Sequence, residues 1–237
     1  MTKEKETDNE DYLDKSARKL LKEFGEGSHI PGSGSANVLS TLLSIGLMKT
    51  VCKITLKKPK YESIHKYLQP FLIELEEKYE PQFEELFQKD IEIFNRVLKN
   101  RRLRDITEDK VEKEYFDKQS LEALKEATEI QIQICEVCLE LFESAITIFD
   151  RAFKAVRGDS GVAISGLLSA SFGSLFVIFL NLKSFPESLW LTSTQTKAEL
   201  LTKQLINSQA TGFEKVLDLY KELKNPDDDF EDEMFSD

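Results

Sequence analysis

Between Asp159 and Lys183 the chain carries no ionisable side chain. At about 1.5 Å of rise per residue those positions make a helix of about 34 Å, and a helix without a charged face is expected to be buried on every side. Its small residues fall at spacing four in two adjacent ridges, Gly161, Ser165, Ser169 and Gly173 beside Gly166, Ala170 and Ser174, so neighbouring backbones can approach closely on that flank. Bulkier groups follow toward its end: Leu175, Phe176, Ile178, Phe179 and Leu180. A run this long also meets the length criterion for a membrane span. A second stretch without Asp, Glu, Lys or Arg, from Gly27 to Met48, opens with a Gly/Ser/Pro loop and leaves an apolar part too short for a comfortable span. The rest reads as charged, amphipathic helix. The expected architecture is therefore a soluble all-α, single-domain bundle around a central apolar helix, with no membrane partner. A helix apolar all round in a chain of 237 residues needs partner surface to cover it, so a homodimer is expected.

With 41% hydrophobic and 32% charged positions, a chain of this length can bury one sizeable core. The formal charge of −11 says less about partners than its size suggests. Asp227, Asp228, Asp229, Glu231, Asp232, Glu233 and Asp237 supply seven of those charges, leaving the body at about −4. No basic face suited to nucleic acid is present. The expected divisions are a flexible N-terminus over 1–10, a helical domain over 11–224 and an acidic, disordered tail over 225–237.

Cys52, Cys135 and Cys138 each lie in apolar sequence, which fits reduced core thiols of a cytoplasmic protein better than a secreted disulfide framework. The N-terminus shows no apolar signal segment. Cys135 and Cys138 form a CxxC, but in the middle of a helical pattern, whereas a redox pair sits at a helix N-terminus that stabilises its thiolate. A zinc site would need further ligands, and neither a second Cys pair nor a His pair supplies them. No metal is expected.

Along the chain, Leu13, Ala17, Leu20, Leu21 and Phe24 share one helical face, ended by Gly25 and Gly27. The loop Gly27 to Ser35 follows and enters a second helix running to about Leu56, with Ser33 or Ser35 expected as its cap. A glycine-rich loop at a helix start offers free N–H groups and the positive end of a dipole, a seat for an anion. His29 reads as an exposed loop residue and His65 as a surface residue. From Tyr61 to Leu98 the pattern is helical, with Pro70 and Pro81 expected to kink or restart it. Asp90 lies inside the periodic apolar run Phe83, Leu86, Phe87, Ile91, Phe94 and Leu98, and is expected to be drawn inward. Lys99, Arg101, Arg102 and Arg104 suit either a helix C-terminus or a clamp for carboxylates. A linker around Asp105 to Asp109 leads into a helix from about Tyr115 to Arg157. After the central helix, Ser184 is expected to cap a last helix, with Pro186 in its first turn.

Four landmarks in this order resemble the formiminotetrahydrofolate cyclodeaminase and methenyltetrahydrofolate cyclohydrolase family. Ile30 to Ser35, IPGSGS, is similar to the family's PGGGS at a helix start, and Leu56 to Tyr61, LKKPKY, to its GKKKY turn. Asp90 to Phe94, DIEIF, matches D-A-x-A-F and is followed by Arg102-Leu103, where the family has RLP. Asp159-Ser-Gly-Val162 and Asn181-Leu182-Lys183 resemble the SDxxV and INL signatures at the two ends of the central helix. The likeness spans about residues 20–205. Departures are Ser33 for the middle glycine, Arg104 for the proline after RL, Val177 for the first Asn of NVxIN, and the missing NPN before the aspartate.

The resemblance implies a helical dimer that binds a tetrahydrofolate derivative near the glycine-rich loop. It implies Asp90 as the catalytic carboxylate, and substrate contacts from Pro31, Gly32, Ser33, Gly34, Ser35, Lys60, Arg102, Asp159 and Asn181. Asp159, at a helix start, suits capping or orienting more than proton transfer. The implied activity is ring closure of formiminotetrahydrofolate with release of ammonia. The alternatives are opening of the methenyl bridge by water, and a diverged homologue that kept the fold as a helical binding protein.

Overall fold

The computed structural model describes residues 12–224; the expected flexible N-terminus (1–10) and acidic tail (225–237) lie outside the described residues. Every regular element among the described residues is helical. Seven α-helices run in chain order: α1 (Ala17–Phe24), α2 (Ser33–Thr55), α3 (Glu62–Glu74), α4 (Glu80–Ile106), α5 (Lys110–Arg151), α6 (Arg157–Leu182) and α7 (Leu189–Lys224).

The long apolar stretch forms α6, at the middle of the bundle. It packs on α5 behind, α2 on one side and α7 on the other, while α4 lies against α5 and α2. α6 runs antiparallel to α5, α2 and α7, and α4 antiparallel to α5 and α2, whereas α2 and α7 each run parallel to α5. Asn37 of α2 meets Ser174 and Ser40 meets Gly166, Asp90 of α4 meets Gln131 of α5, and Cys135 of α5 meets the carbonyl of Ser171. Glycine sets the α2–α6 spacing. A Cβ on Gly166 would lie 2.3 Å from Ser44 Oγ, and one on Gly173 would lie 2.0 Å from Asn37 Oδ1. Gly166, Gly173 and Ser174 from the small-residue ridges of α6 are thus the flank on which α2 rests, while Ser165 and Ser169 of the first ridge are exposed, and the core runs through Val38, Ile45, Met48, Phe87, Ile134, Phe142, Ala163 and Leu167.

Contrary to the expectation from its composition, α6 is not buried on every side. Its inner residues are sealed, but Val162, Phe172, Phe176, Phe179 and Leu180 are exposed. By length and composition both α2 and α6 could cross a membrane.

Several boundaries also move. α2 has Gly32, which carries no side chain, as its N-cap; Ser33 and Ser35 fall inside the helix, and the Ser35 hydroxyl donates to Asp90. Pro70 sits inside α3 without breaking it; the adjustment comes later, as a π-helical turn over Leu75–Tyr79, with Pro81 in the first turn of α4. A proline forfeits one backbone bond, and a wide turn re-registers the chain around it. α5 starts at Lys110, capped by the Asp109 carboxylate on the N–H groups of Val111 and Glu112, and stops at Arg151 rather than Arg157. There the chain turns through Ala152 and Phe153, whose N–H bonds Thr55 Oγ1. The last helix is capped by Ser188, not Ser184, and Pro186 precedes it. His65 is half-buried, its ring against the Thr55 carbonyl at 3.2 Å, so it is not a free surface residue.

Candidate active site

Asp90 is the one carboxylate among the described residues that the fold draws inside, at 8% exposure. The helical period puts it on the inner face of α4 between Phe87 and Ile91, where α2 begins and α5 passes. Its Oδ2 accepts from the Ser35 hydroxyl at 2.8 Å, and the Ser35 backbone N–H also donates to the carboxyl group. Its Oδ1 accepts from Gln131 Nε2 at 3.2 Å. Gln131 Oε1 in turn accepts from Asn37 Nδ2 at 3.1 Å, which ties the carboxyl through two amides to the α2–α6 contact. Gly34 is required at its position: a Cβ there would lie 2.0 Å from Asp90 Oδ1 and 2.6 Å from Gln131 Nε2.

Burial raises the Asp90 pKa above the ordinary carboxylate value, opposed by the bonds from the Ser35 hydroxyl, Gln131 and the Ser35 N–H. A carboxyl held this way takes up a proton more readily than an ordinary surface carboxylate.

Asp90 forms one wall of a cavity of about 300 Å³, lined also by Ser28, His29, Ile30, Gly32 to Ser35, Ile91, Phe94, Ala127, Gln131, Val177 and Asn181. Apolar rings and methyls alternate with amide and hydroxyl groups, as a flat heteroaromatic ligand needs. Asn181 is oriented by donating to Thr128 Oγ1 at 3.1 Å. His29 is an exposed loop residue, as expected, and also lines this cavity. A larger groove of about 570 Å³ between α5 and α7 is lined by paired surface groups such as Lys197 and Glu136, and holds no buried titratable side chain.

The structure brings together Gly32, Ser33, Gly34, Ser35, Asp90 and Asn181, with Pro31 buried in the loop beside them. It does not bring Lys60, Arg102 or Asp159 to that cavity. Lys60 follows α2, whose 23 residues separate it from the loop by about 34 Å. Asp159 begins α6 at the same far end, in the first turn after the N-cap Val156. Arg102 is exposed, about 18 Å further along α4 than Asp90. Of its basic neighbours, Arg104 binds Asp105 and Asp117, and Arg101 binds Ser120. Sequence reading missed Gln131 and Asn37. Both are polar residues on otherwise apolar inner faces, Gln131 in line with Ala127, Thr128 and Cys135, and that is the signal that marks them.

The three thiols are core groups. Burial pushes Cys52, Cys135 and Cys138 each up to about 12, and Cys138 Sγ lies 3.1 Å from Thr41 Oγ1. Among the described residues no cluster of His, Cys, Asp and Glu is placed to hold a metal ion.

Fold and cavity together define an all-α protein with, among the described residues, a single interior carboxyl on the wall of its cavity. The chain belongs to the formiminotransferase-cyclodeaminase family, whose model matches residues 16–200; it is thus a member of a folate-related family of cyclodeaminases and cyclohydrolases. It is 27% identical over 157 residues to a methenyltetrahydrofolate cyclohydrolase of Methylorubrum extorquens, covering 66% of this chain and 74% of that protein. Its fold is similar to the crystal structure of formiminotetrahydrofolate cyclodeaminase from Thermotoga maritima, with a TM-score of 0.74 and 18% identity over 88% of this chain and 98% of that one.

Proposed function

We propose that the protein is a formiminotetrahydrofolate cyclodeaminase with Asp90 as its proton-transferring group. The observation that carries this reading is the buried Asp90 carboxyl, raised in pKa and fixed by Ser35 and Gln131 on the wall of a cavity that suits a pterin. In ring closure the second folate nitrogen attacks the formimino carbon. A new C–N bond forms and a tetrahedral centre carrying three nitrogens results. The attacking nitrogen must lose a proton and the departing one must gain it before ammonia leaves and the methenyl bridge remains. One carboxyl that takes the first proton and delivers it to the second group does both. Family membership supports the substrate class, and the helix start at Gly32 to Ser35 supplies donors for a carbonyl of the ligand.

The likeness to a methenyltetrahydrofolate cyclohydrolase favours a second reading, in which the same carboxyl removes a proton from water attacking the methenyl carbon. Both reactions change the methenyl absorbance, in opposite directions. Purified protein should raise that absorbance from formiminotetrahydrofolate, and Asp90→Asn should slow turnover by about 10²-fold or more at saturating substrate. Turnover of the methenyl compound alone would move the assignment to cyclohydrolase. Turnover of neither would leave a folate-fold binding protein.

A further inference from the structure

The loop before α2 turns on itself. Ser28 Oγ accepts from the Ile30 N–H at 3.2 Å, a serine-closed turn, and the His29 carbonyl folds back so closely on Gly32 that a Cβ there would lie 2.8 Å from its oxygen. Beyond the turn the chain is anchored, with Ile30 packed on the core and Pro31 buried. The backbone of His29 is thus held at a set place beside the start of α2. Of the residues that line the Asp90 cavity, Ser28, His29 and Ser33 are exposed and mark its mouth, while Asp90 and Gln131 are buried within it. Among the described residues the lining holds two titratable groups, Asp90 inside and His29 at the mouth, and no Lys or Arg.

The chemistry needs a proton to cross that mouth. In ring closure a protonated formimino group carries two N–H hydrogens and the attacking nitrogen one; the three leave together as NH3, and Asp90 ends the cycle as it began. Ammonia is itself a nucleophile that can add back to the methenyl carbon until a proton occupies its lone pair. In the opening of the methenyl bridge the two hydrogens of water divide. One ends on the freed folate nitrogen, and the other must leave the cavity. Either reaction therefore exchanges one proton with solvent in each turnover. Asp90, at 8% exposure, has no direct path for that exchange once a ligand fills the cavity of about 300 Å³ and expels its water. Histidine is the side chain suited to taking and giving a proton around neutral pH, and His29 touches both the cavity and the solvent.

We propose that His29 is the proton relay between the Asp90 cavity and solvent. In ring closure the imidazolium gives its proton to the departing ammonia: the ring N–H bond breaks as a bond forms on NH3, ammonium leaves through the mouth, and solvent returns a proton to the ring. In opening of the methenyl bridge the neutral imidazole takes the surplus proton of water and passes it out. The relay rests on the folate reading of the cavity and serves either direction of that chemistry. It moves a proton without holding the ligand, so its loss acts on kcat and leaves KM alone.

Chemical rescue tests the relay. His29→Ala should lower kcat by about tenfold or more with KM unchanged, and imidazole added at constant pH and ionic strength should restore most of the lost rate by entering the space the substitution opens. His29→Gln fills that space without a titrating nitrogen, so its kcat should fall equally and imidazole should not restore it. His29 is exposed and outside the core, so both variants should keep the circular dichroism and Tm of the wild type. An unchanged kcat in His29→Ala, a loss that imidazole does not restore, or equal restoration of His29→Gln would refute the relay. A raised KM with unchanged kcat would also refute it, making His29 a binding residue. If the wild type turns over neither formimino- nor methenyltetrahydrofolate, the folate reading and the relay fall together, whereas failed rescue in an active enzyme removes the relay alone.

Discussion

Replacing Gly34 by alanine tests the site with the smallest possible change. The added methyl would stand 2.0 Å from Asp90 Oδ1 and 2.6 Å from Gln131 Nε2. Ordinary carbon–oxygen contact begins near 3.3 Å, so the carboxyl must retreat by about 1.3 Å, and a displacement of about 1 Å at a reacting group costs about 10²-fold in rate. Asp90 cannot retreat freely: Ser35 holds its other oxygen at 2.8 Å, and Phe87 and Ile91 pack around it. Overpacking costs about 1–3 kcal/mol, offset by about 1 kcal/mol from replacing a helical glycine. Net destabilisation of about 0–2 kcal/mol corresponds to a fall in Tm of at most about 8 °C for a domain of this size. Steady-state ring closure should therefore show kcat lowered by about two orders of magnitude in a protein with near-native circular dichroism. Wild-type kcat in folded Gly34→Ala would refute the claim that the carboxyl must sit where α2 begins.

The raised Asp90 pKa also sets a pH dependence of stability. A folded-state value above the unfolded one contributes stability that is complete below the ordinary carboxylate pKa and is lost as pH rises through the folded value; Tm of the wild type relative to Asp90→Asn should accordingly fall from pH 4 to pH 8, and a rise would contradict it. The Ser35 hydroxyl lowers that pKa, so Ser35→Ala should push it further up, moving the Asp90 limb of the pH–rate profile to higher pH and slowing turnover by about tenfold; an unmoved limb would show that the hydroxyl does not act on the carboxyl. Cys52, Cys135 and Cys138, with pKa values pushed up to about 12, should resist alkylation at pH 8 in the native protein and all react in denaturant; rapid native labelling at Cys135 and Cys138 would reopen the CxxC as a redox pair.

Periodicity made the fold class and the inward turn of Asp90 legible, because a carboxylate inside an apolar stripe has nowhere else to go. It could not show how many sides of α6 are covered. An uncharged helix states only that no side faces water comfortably, and the side carrying Val162, Phe172, Phe176 and Phe179 is exposed. Motif order gave the loop, Asp90 and Asn181 correctly as neighbours, since all three belong to helices packed at one end of the bundle. Lys60 and Asp159 share motifs of the same family but lie a helix length away, and linear order carries no information about which end of an antiparallel pair a turn occupies. Ser33 or Ser35 is the expected cap, yet α2 begins at Ser33, so both serines fall inside its first turn, where the Ser35 hydroxyl donates to the buried carboxylate instead.

The small residues that make α6 resemble a membrane span also position the Asp90 carboxyl. Gly173 has no side chain, so Asn37 of α2 can lie against α6 and reach Ser174 and Gln131. Gln131, held from behind by Asn37, points its amide at Asp90, and Gly34, one turn before Asn37 on the same helix, lets that carboxyl approach the start of α2. Close approach of α2 to α6 and close approach of α2 to Asp90 are therefore one constraint applied at two glycines of facing helices. A bulkier residue at either place would lever α2 outward and pull Ser35 off the carboxyl. The uncharged character of the facing sides of α2 and α6 follows from this geometry: backbones packed this tightly leave no room there for a charged side chain or its water, and the polar groups that remain must be short and must bond to one another.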